Sequence, residues 1–167
     1  DLLWNSINWE LALARPDGSR LHMVMEEGKP KPQTVTQMFN EYYLLAWLIQ
    51  EAQVQKRGRS KILSIGQFPS WNNEGFHLLS EPRKTPQPSF IIQFPFYLCH
   101  PCTLDPLFRK SVLAQAQADR RRGRDELWGA GAGITPDKGY FAASFADNPG
   151  KVVSPRIIAG FMPAMPQ

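Results

Sequence analysis

The sequence predicts a single α+β domain that spans residues 1–167, and three observations carry this prediction. Apolar and polar residues alternate along residues 7–25, which is typical of a β-hairpin. Apolar residues recur at helical spacing in two later segments, near residues 34–55 and 105–122. Short apolar runs between many of the 15 prolines predict further short strands joined by long connections. We therefore expect a mixed or antiparallel sheet packed on two main helices.

The N-terminal hairpin is predicted from the stretch INWELALARPDGSRLHMVM, residues 7–25. Its apolar positions share one face of each strand: Ile7, Trp9, Leu11 and Leu13, then Leu21, Met23 and Met25. Residues 16–18, Pro-Asp-Gly, supply the turn, because proline fixes φ and glycine accepts a positive φ. One side of the hairpin would therefore face the core.

The strongest helix prediction covers residues 34 to about 55. Thr34 and Gln37 form a capping-box pattern at its start. The apolar positions repeat with helical spacing: Val35, Met38, Phe39, Tyr42, Leu45, Ala46, Ile49 and Ala52. The stretch VQKRGRSK follows, with Gly58 as the expected stop, and residues 62–65 predict a short strand.

The middle of the chain is predicted to contain a long loop, a strand and a second helix. Residues 66–88 form a long proline-rich loop with a brief strand at residues 76–79. The apolar run SFIIQFPFYL, residues 89–98, predicts a strand that is covered on both faces. Asp105 and Pro106 then predict the N-cap and first turn of a helix that extends to residue 122.

The C-terminal region is predicted to be a strand pair that follows a hinge. The stretch WGAGAGITPDKG, residues 128–139, lacks the GK[ST] sequence of a phosphate-binding loop and predicts a flexible linker. Residues 140–145 and 152–161 then predict two strands around a turn-rich segment.

The composition limits the class of protein. Hydrophobic residues make up 43% of the chain and charged residues 20%, as in globular proteins. The 19 lysines and arginines exceed the 15 acidic residues and leave a formal net charge of +4, which favours an anionic partner. The longest apolar run, residues 42–49, is too short to cross a bilayer. Two cysteines are too few for a disulfide scaffold, so we favour a cytoplasmic location.

Both cysteines lie in the stretch FYLCHPCTLDP, as Cys99 and Cys102. A C-x-x-C that follows a strand and opens a helix is similar to the reactive pair of thiol oxidoreductases, in which a helix N-terminus stabilises the first thiolate. Cys99 would be the nucleophile, Cys102 the resolving thiol, and His100 a further stabilising charge. A thioredoxin-like fold also carries a proline ahead of a later strand, and Pro136 in GITPDKGYFAASF resembles it. The resemblance fails beyond these motifs, because the region between Cys102 and Pro136 has no room for that fold's additional strand and helix.

Two other interpretations of the cysteines stay open. As a zinc site, the pair would need further ligands from His22, His77, His100 or a carboxylate, and these histidines lack the paired spacing of a zinc finger. As buried thiols, the pair would pack as small apolar side chains among the neighbouring aromatic and leucine residues. We expect no other cofactor.

Two turns rich in arginine and lysine follow the predicted helices. They carry Lys56, Arg57, Arg59 and Lys61 in the first turn, and Arg120, Arg121, Arg122 and Arg124 in the second. If both turns project from one face, their donors suit phosphate oxygens, and Trp128 is placed to stack on bases. Cations at the C-terminal ends of helices also complement the helix dipole without any ligand.

The leading functional hypothesis is a basic, non-enzymatic binding or assembly protein within a larger complex. Its arginine and lysine turns would contact nucleic acid or an acidic protein partner. The alternative is a thiol-disulfide redox protein that uses Cys99 and Cys102. The dependence of binding affinity on salt distinguishes the two hypotheses, because binding to a phosphate backbone weakens steeply as ionic strength rises.

Overall fold

A computed structural model describes residues 2–15, 20–57, 68–80, 87–123, 127–137, 139–144 and 152–165, with the backbone alone at residues 2, 3 and 55–57. The chain divides into two compact units, the N-terminal unit Asp1–Phe68 and the C-terminal unit Pro69–Gln167, and each is described by itself. Helices and two-stranded antiparallel sheets occur together along the chain, which confirms the α+β class. The single domain predicted over residues 1–167 stays a prediction.

The N-terminal unit contains short helices and strands followed by a longer helix. Its elements are α1 (Leu2–Ser6), a 3₁₀ turn (Trp9–Ala12), β1 (Arg20–His22), β2 (Met25–Glu26), β3 (Lys29–Pro30), β4 (Val35–Gln37) and α2 (Tyr43–Arg57). Strand β1 pairs antiparallel with β4, and β2 pairs antiparallel with β3. The rings of Phe39, Tyr43 and Phe68 contact one another, with centroids 5.3 to 5.7 Å apart, and form an aromatic core.

The first strand of the predicted N-terminal hairpin is wrong, because the 3₁₀ turn takes its place and α1 ends just before it. Within the described residues, the predicted pairing is limited to a bridge at Leu13. The cause is a contact between two indoles: Trp9 Nε1 donates to the Trp4 carbonyl at 3.2 Å, and the ring centroids are 4.6 Å apart. This contact closes the chain into turns where alternation predicts an extended strand. The turn predicted at residues 16–18 and the strand predicted at residues 62–65 lie outside the described residues.

Helix α2 begins at Tyr43 rather than at Thr34, because β4 takes up the residues that were assigned to its first turn. Asn40 defines the start of the helix. Its Oδ1 accepts a hydrogen bond from the Tyr42 N–H at 3.0 Å, and its carbonyl accepts one from the Tyr43 N–H at 3.0 Å. The predicted apolar face of the helix is confirmed by the burial of Ala46, Ile49 and Ala52.

The C-terminal unit combines two hairpins with four helices in its described part. Its elements are β5 (Ser70–Asn73), β6 (Phe76–Leu79), α3 (Phe90–Leu98), α4 (His100–Leu104), α5 (Pro106–Arg122), β7 (Gly133–Thr135), β8 (Gly139–Phe141) and α6 (Pro155–Phe161). Strands β5 and β6 pair antiparallel, as do β7 and β8. The strand predicted at residues 76–79 is thus confirmed as β6, and β5 lies within the predicted long loop.

Helix α5 is the centre of the C-terminal unit and contacts β6, α3, α4 and α6. Its predicted start is confirmed, because Asp105 Oδ1 accepts hydrogen bonds from Leu107 N at 2.7 Å and Phe108 N at 3.0 Å, and Pro106 occupies the first turn. The buried positions of the helix follow helical spacing: Phe108, Val112, Gln115, Ala116, Ala118 and Asp119.

Two segments that were predicted as strands are helices. Residues 90–98 form α3, and residues 155–161 form α6. A continuous apolar run does not distinguish a buried strand from a buried helix, and here contacts between helices decide the outcome. The side chain of Gln93 on α3 donates from Nε2 to the Ile157 carbonyl on α6 at 2.8 Å. This buried hydrogen bond joins two segments that are 64 residues apart.

Residues 129–132, which we call the Gly/Ala segment, are buried and held to α5, although the stretch 128–139 that contains them was predicted to be a flexible linker. Asp119 Oδ1 accepts hydrogen bonds from Gly129 N and Ala130 N, each at 3.2 Å. Gly131 lies against Ile157, and a Cβ atom at this glycine would come within 2.5 Å of Ile157 Cγ1. The Gly/Ala segment therefore has neither the exposure nor the space that a hinge requires, whereas the rest of the predicted linker contributes to the β7–β8 hairpin.

The second oxygen of Asp119 fixes the start of α3. Ser89 Oγ donates to Asp119 Oδ2 at 3.1 Å, and Gln115 Nε2 donates to Ser89 Oγ at 3.3 Å. Burial raises the pKa of Asp119 above its usual range, and hydrogen bonds from Ala130, Gly129 and Ser89 oppose this rise without cancelling it. The carboxyl group thus connects the α3 start, α5 and the Gly/Ala segment.

Replacing Asp119 by alanine should destabilise the protein by roughly 2–4 kcal/mol, because two buried N–H groups and the Ser89 hydroxyl lose their acceptor. Urea denaturation followed by circular dichroism measures this loss. Ala118→Gly on the same buried helix turn is the control for a general packing defect and should cost about 1 kcal/mol. Equal losses in the two variants would contradict the proposed role of the carboxyl group.

The raised pKa of Asp119 predicts a pH dependence with a defined sign. A pKa that is higher in the folded state contributes stability that is complete below the unfolded value, about 3.9, and is lost as pH rises through the folded value. The native protein should therefore lose stability relative to Asp119→Asn as pH rises from about 4. Denaturant midpoints of both proteins across this range test the prediction. A difference that is constant, or that grows in favour of the native protein, would be inconsistent with it.

Candidate functional site

The two cysteines lie together in the interior of the C-terminal unit. Cys99 separates α3 from α4, and Cys102 lies within α4. Both are thiols rather than a disulfide, and their side chains are buried, with 0% and 3% exposure. The Cys102 thiol donates to the Cys99 sulfur at 2.8 Å. The predicted proximity of the pair is therefore confirmed.

The corner between α3 and α4 is held by backbone and hydroxyl hydrogen bonds. The Cys99 N–H donates to the Pro95 carbonyl at 2.9 Å and closes the last turn of α3. Thr103 Oγ1 donates to the Phe96 carbonyl at 2.6 Å, and the Thr103 N–H donates to the Cys99 carbonyl at 3.2 Å. These contacts fold α4 back against α3 and place both sulfurs inside the corner.

The setting of the pair differs from the prediction in one respect. The element before Cys99 is helix α3 rather than a strand, so the strand–C-x-x-C–helix order of thiol oxidoreductases is not present. The interpretation of both residues as buried thiols agrees with their exposure. The assignment of Cys99 as nucleophile and Cys102 as resolving thiol stays a prediction.

Within the described part of the chain, no group of three or more His, Cys, Asp or Glu side chains is placed to hold a metal ion. His22 belongs to the N-terminal unit, whereas His77 and His100 are exposed in the C-terminal unit. The described residues thus show no further ligands for the predicted zinc alternative at Cys99 and Cys102.

The second arginine turn lies at the end of α5, where its charge is partly opposed. Arg121 Nε is 3.6 Å from Glu74 Oε2, and Arg122 Nη1 donates to Glu74 Oε1 at 3.3 Å. The Arg121 guanidinium also lies 6.0 Å above the centre of the Phe76 ring. Arg120 occupies the same last turn of α5. Both paired arginine side chains are more than half exposed, so a second anion has access to them.

The remaining predicted binding residues lie in other settings. The backbone of Lys56 and Arg57 ends α2 in the N-terminal unit, whereas Arg59, Lys61 and Arg124 lie outside the described residues. Trp128 is half-buried, and its ring stacks on Phe161 with centroids 6.3 Å apart. Packing inside the C-terminal unit thus uses at least one face of this indole. A common face for the two arginine and lysine turns stays a prediction.

Sequence reasoning missed an exposed apolar surface on the helices around the thiol corner. Its members are 45% to 63% exposed, and we call them the α3–α4 apolar surface: Phe94, Tyr97, Leu98, Leu104 and Leu107. The three residues on α3 are spaced i, i+3 and i+4, which places them on one helix face. This spacing would have revealed the surface if residues 90–98 had been assigned as a helix.

The border of this surface is basic. Residues 94–110 contain a single carboxylate, Asp105, which is engaged in capping α5. The basic side chains of the same stretch, His100, Arg109 and Lys110, are exposed. Lys110 follows Leu107 by three positions on α5 and therefore lies on the same helix face.

No family model matches this chain, and no curated protein and no solved structure matches it significantly. In the described residues, the helices are too short or too polar to cross a membrane.

Replacing Glu74 by glutamine should strengthen the attraction of the second arginine turn for polyanions, because the carboxylate that opposes Arg121 and Arg122 is removed. The measurement is the salt concentration at which the protein elutes from immobilised heparin. Folding should change by less than about 1 kcal/mol, since both ion pairs are exposed.

Glu41→Gln is the matched control for this experiment, because it removes one exposed negative charge from the N-terminal unit. Elution of the Glu74 variant at higher salt than the Glu41 variant is the expected result. Identical elution of the two variants would show that net charge, rather than the arginine turn, determines heparin binding.

Proposed function

We propose that this chain is a binding and assembly protein that joins an apolar, acid-bordered polypeptide through the α3–α4 apolar surface. The observation that carries the proposal is the exposure of five large apolar side chains within 14 residues, at 45% to 63% each. The opposite faces of α3 and α5 are buried, so both helices pack into the core without the five exposed side chains.

The size of this surface supports an interaction role. Five aromatic or leucine side chains at these exposures present on the order of 500 Å² of apolar area. Monomeric proteins rarely expose larger contiguous apolar patches, and patches of this size often mark binding sites. A specific interface covers roughly 800 Å² on each partner, with an apolar centre inside a polar rim.

The basic border favours an acidic polypeptide over the other occupants. His100, Arg109 and Lys110 would meet opposite charge at the rim of such a partner. A second copy of the chain in a two-fold contact would bring the same basic border near itself. Only two of the five members, Phe94 and Tyr97, offer an aromatic face for base stacking, so a nucleic acid suits this surface less well than an apolar polypeptide does.

The second arginine turn can extend the same interface or bind a separate anion. Residues 107 and 121 are separated by about 20 Å along α5, because a helix rises about 1.5 Å for each residue. An acidic partner of domain size can span that distance. Nucleic acid at Arg120, Arg121 and Arg122 is the alternative ligand for this turn, and it would bind with a steep dependence on salt.

The proposal predicts that an acidic amphipathic peptide, with leucines on one helix face and glutamates beside them, binds the native chain. Leu98→Glu combined with Leu104→Glu should weaken this binding at least tenfold, because charged groups would be buried at the centre of the contact. Fluorescence anisotropy of the labelled peptide measures the affinity, at low and at moderate salt.

Ile134→Glu is the matched control, since Ile134 is also a highly exposed apolar residue of the C-terminal unit but lies on β7. Unchanged peptide binding in the control and loss in the double variant support the proposal. Equal binding by all three proteins would refute it. Sedimentation of the native chain as a dimer that the double variant disrupts would identify a second copy as the occupant instead, and displacement of the peptide by a short oligonucleotide would identify nucleic acid.

A further inference from the structure

We propose that Cys99 and Cys102 form a reversible intramolecular disulfide, which makes the corner between α3 and α4 a two-electron redox site for small thiol–disulfide couples. This inference concerns the interior of the corner and does not depend on the binding of a polypeptide to its outer surface.

The positions of the two sulfurs carry the inference. They are 2.8 Å apart, and a disulfide requires about 2.05 Å, so the bond forms with a shift of less than about 1 Å. Residues three positions apart at the start of a helix have Cα atoms roughly 5 to 6 Å apart, which lies inside the range that disulfides accept. The native backbone of α4 therefore accommodates both redox states.

The mutual contact also separates this pair from ordinary buried cysteines. A thiol that only fills space needs no second sulfur beside it. Here the two sulfurs contact each other directly, 2.8 Å apart. We assign Cys99 as the attacking sulfur and Cys102 as the resolving one by analogy with the order of the two thiols in C-x-x-C oxidoreductases.

Access to the pair requires a local opening of α4, because the sulfurs are 0% and 3% exposed. Helix α4 is five residues long and ends at Leu104, which is 63% exposed, as is Leu98 at the end of α3. A short, thinly covered helix opens at lower free energy than the body of a unit. Separation of α4 from the end of α3 breaks the hydrogen bond from Thr103 Oγ1 to the Phe96 carbonyl and exposes the thiols.

The exchange is balanced in two steps, with a small disulfide such as oxidised glutathione as the oxidant. Cys99, after loss of its proton, attacks one sulfur of the small disulfide and forms a mixed disulfide, and one small thiolate leaves. Cys102, after loss of its proton, attacks the Cys99 sulfur of the mixed disulfide and releases the second small thiolate. Two electrons pass from the protein to the small disulfide, and the two protons are taken up by the two leaving thiolates.

The test uses the full reduced chain, equilibrated with glutathione buffers of graded redox ratio, quenched in acid and alkylated with N-ethylmaleimide. Intact mass spectrometry should show that both alkylation sites are lost together, without a lasting glutathione adduct, and that dithiothreitol restores them. A synthetic peptide of residues 96–106 is the control for the intrinsic chemistry of the C-x-x-C sequence.

The order of attack is tested by two variants. Cys102→Ser should accumulate a mixed disulfide between Cys99 and glutathione, whereas Cys99→Ser should form such an adduct more slowly. Circular dichroism establishes whether each variant is folded. If Cys102→Ser does not fold, Cys102→Ala takes its place.

The proposal is overturned if both thiols of the native chain stay alkylatable at a redox ratio that oxidises the control peptide. It is also overturned if oxidation yields disulfides between chains rather than within one chain. Similar adduct rates in Cys99→Ser and Cys102→Ser would refute the assignment of Cys99 as the attacking sulfur while leaving the disulfide itself in place.

Discussion

The C-terminal unit depends on one buried carboxyl group. Asp119 accepts hydrogen bonds from Gly129, Ala130 and Ser89, so a single side chain on α5 fixes the Gly/Ala segment and the start of α3. A buried acceptor with three donors is costly to remove, because each donor would be left without a partner away from water. This group helps to position the helices that carry the thiol corner and the α3–α4 apolar surface, since Ser89 is the N-cap of α3 and Cys99 is its C-cap.

The sequence predicted local chemistry more reliably than pairing over long distances. The cap at Asp105 and Pro106 was predicted because capping needs only neighbouring residues, and the apolar face of α2 followed from its helical spacing. The segments that became α3 and α6 were assigned as strands, because a continuous apolar run is compatible with either state. Contacts such as the hydrogen bond from Gln93 to the Ile157 carbonyl decide between the states, and the sequence does not display them.

In the candidate sites too, local features were predicted from the sequence and features that depend on long-range packing were not. The cysteine spacing predicted that the two sulfurs lie close together, and they are 2.8 Å apart. Their burial depends on the fold of α4 against α3 and was one of three open interpretations. The opposition of Arg121 and Arg122 by Glu74 arises from the packing of the β5–β6 hairpin on α5, 48 residues away from Arg122 in sequence. The part of the α3–α4 apolar surface that lies on α3 was missed because residues 89–98 were assigned as a strand.

The close approach of Gly131 to Ile157 has a consequence for how this protein can diverge over evolution. The space at this point is shared, because even one methyl group on the glycine would collide with the isoleucine side chain. A larger residue at 131 is therefore tolerated only together with a smaller one at 157. Natural variants of this chain should show paired exchange at these two positions, with the total volume of the pair conserved.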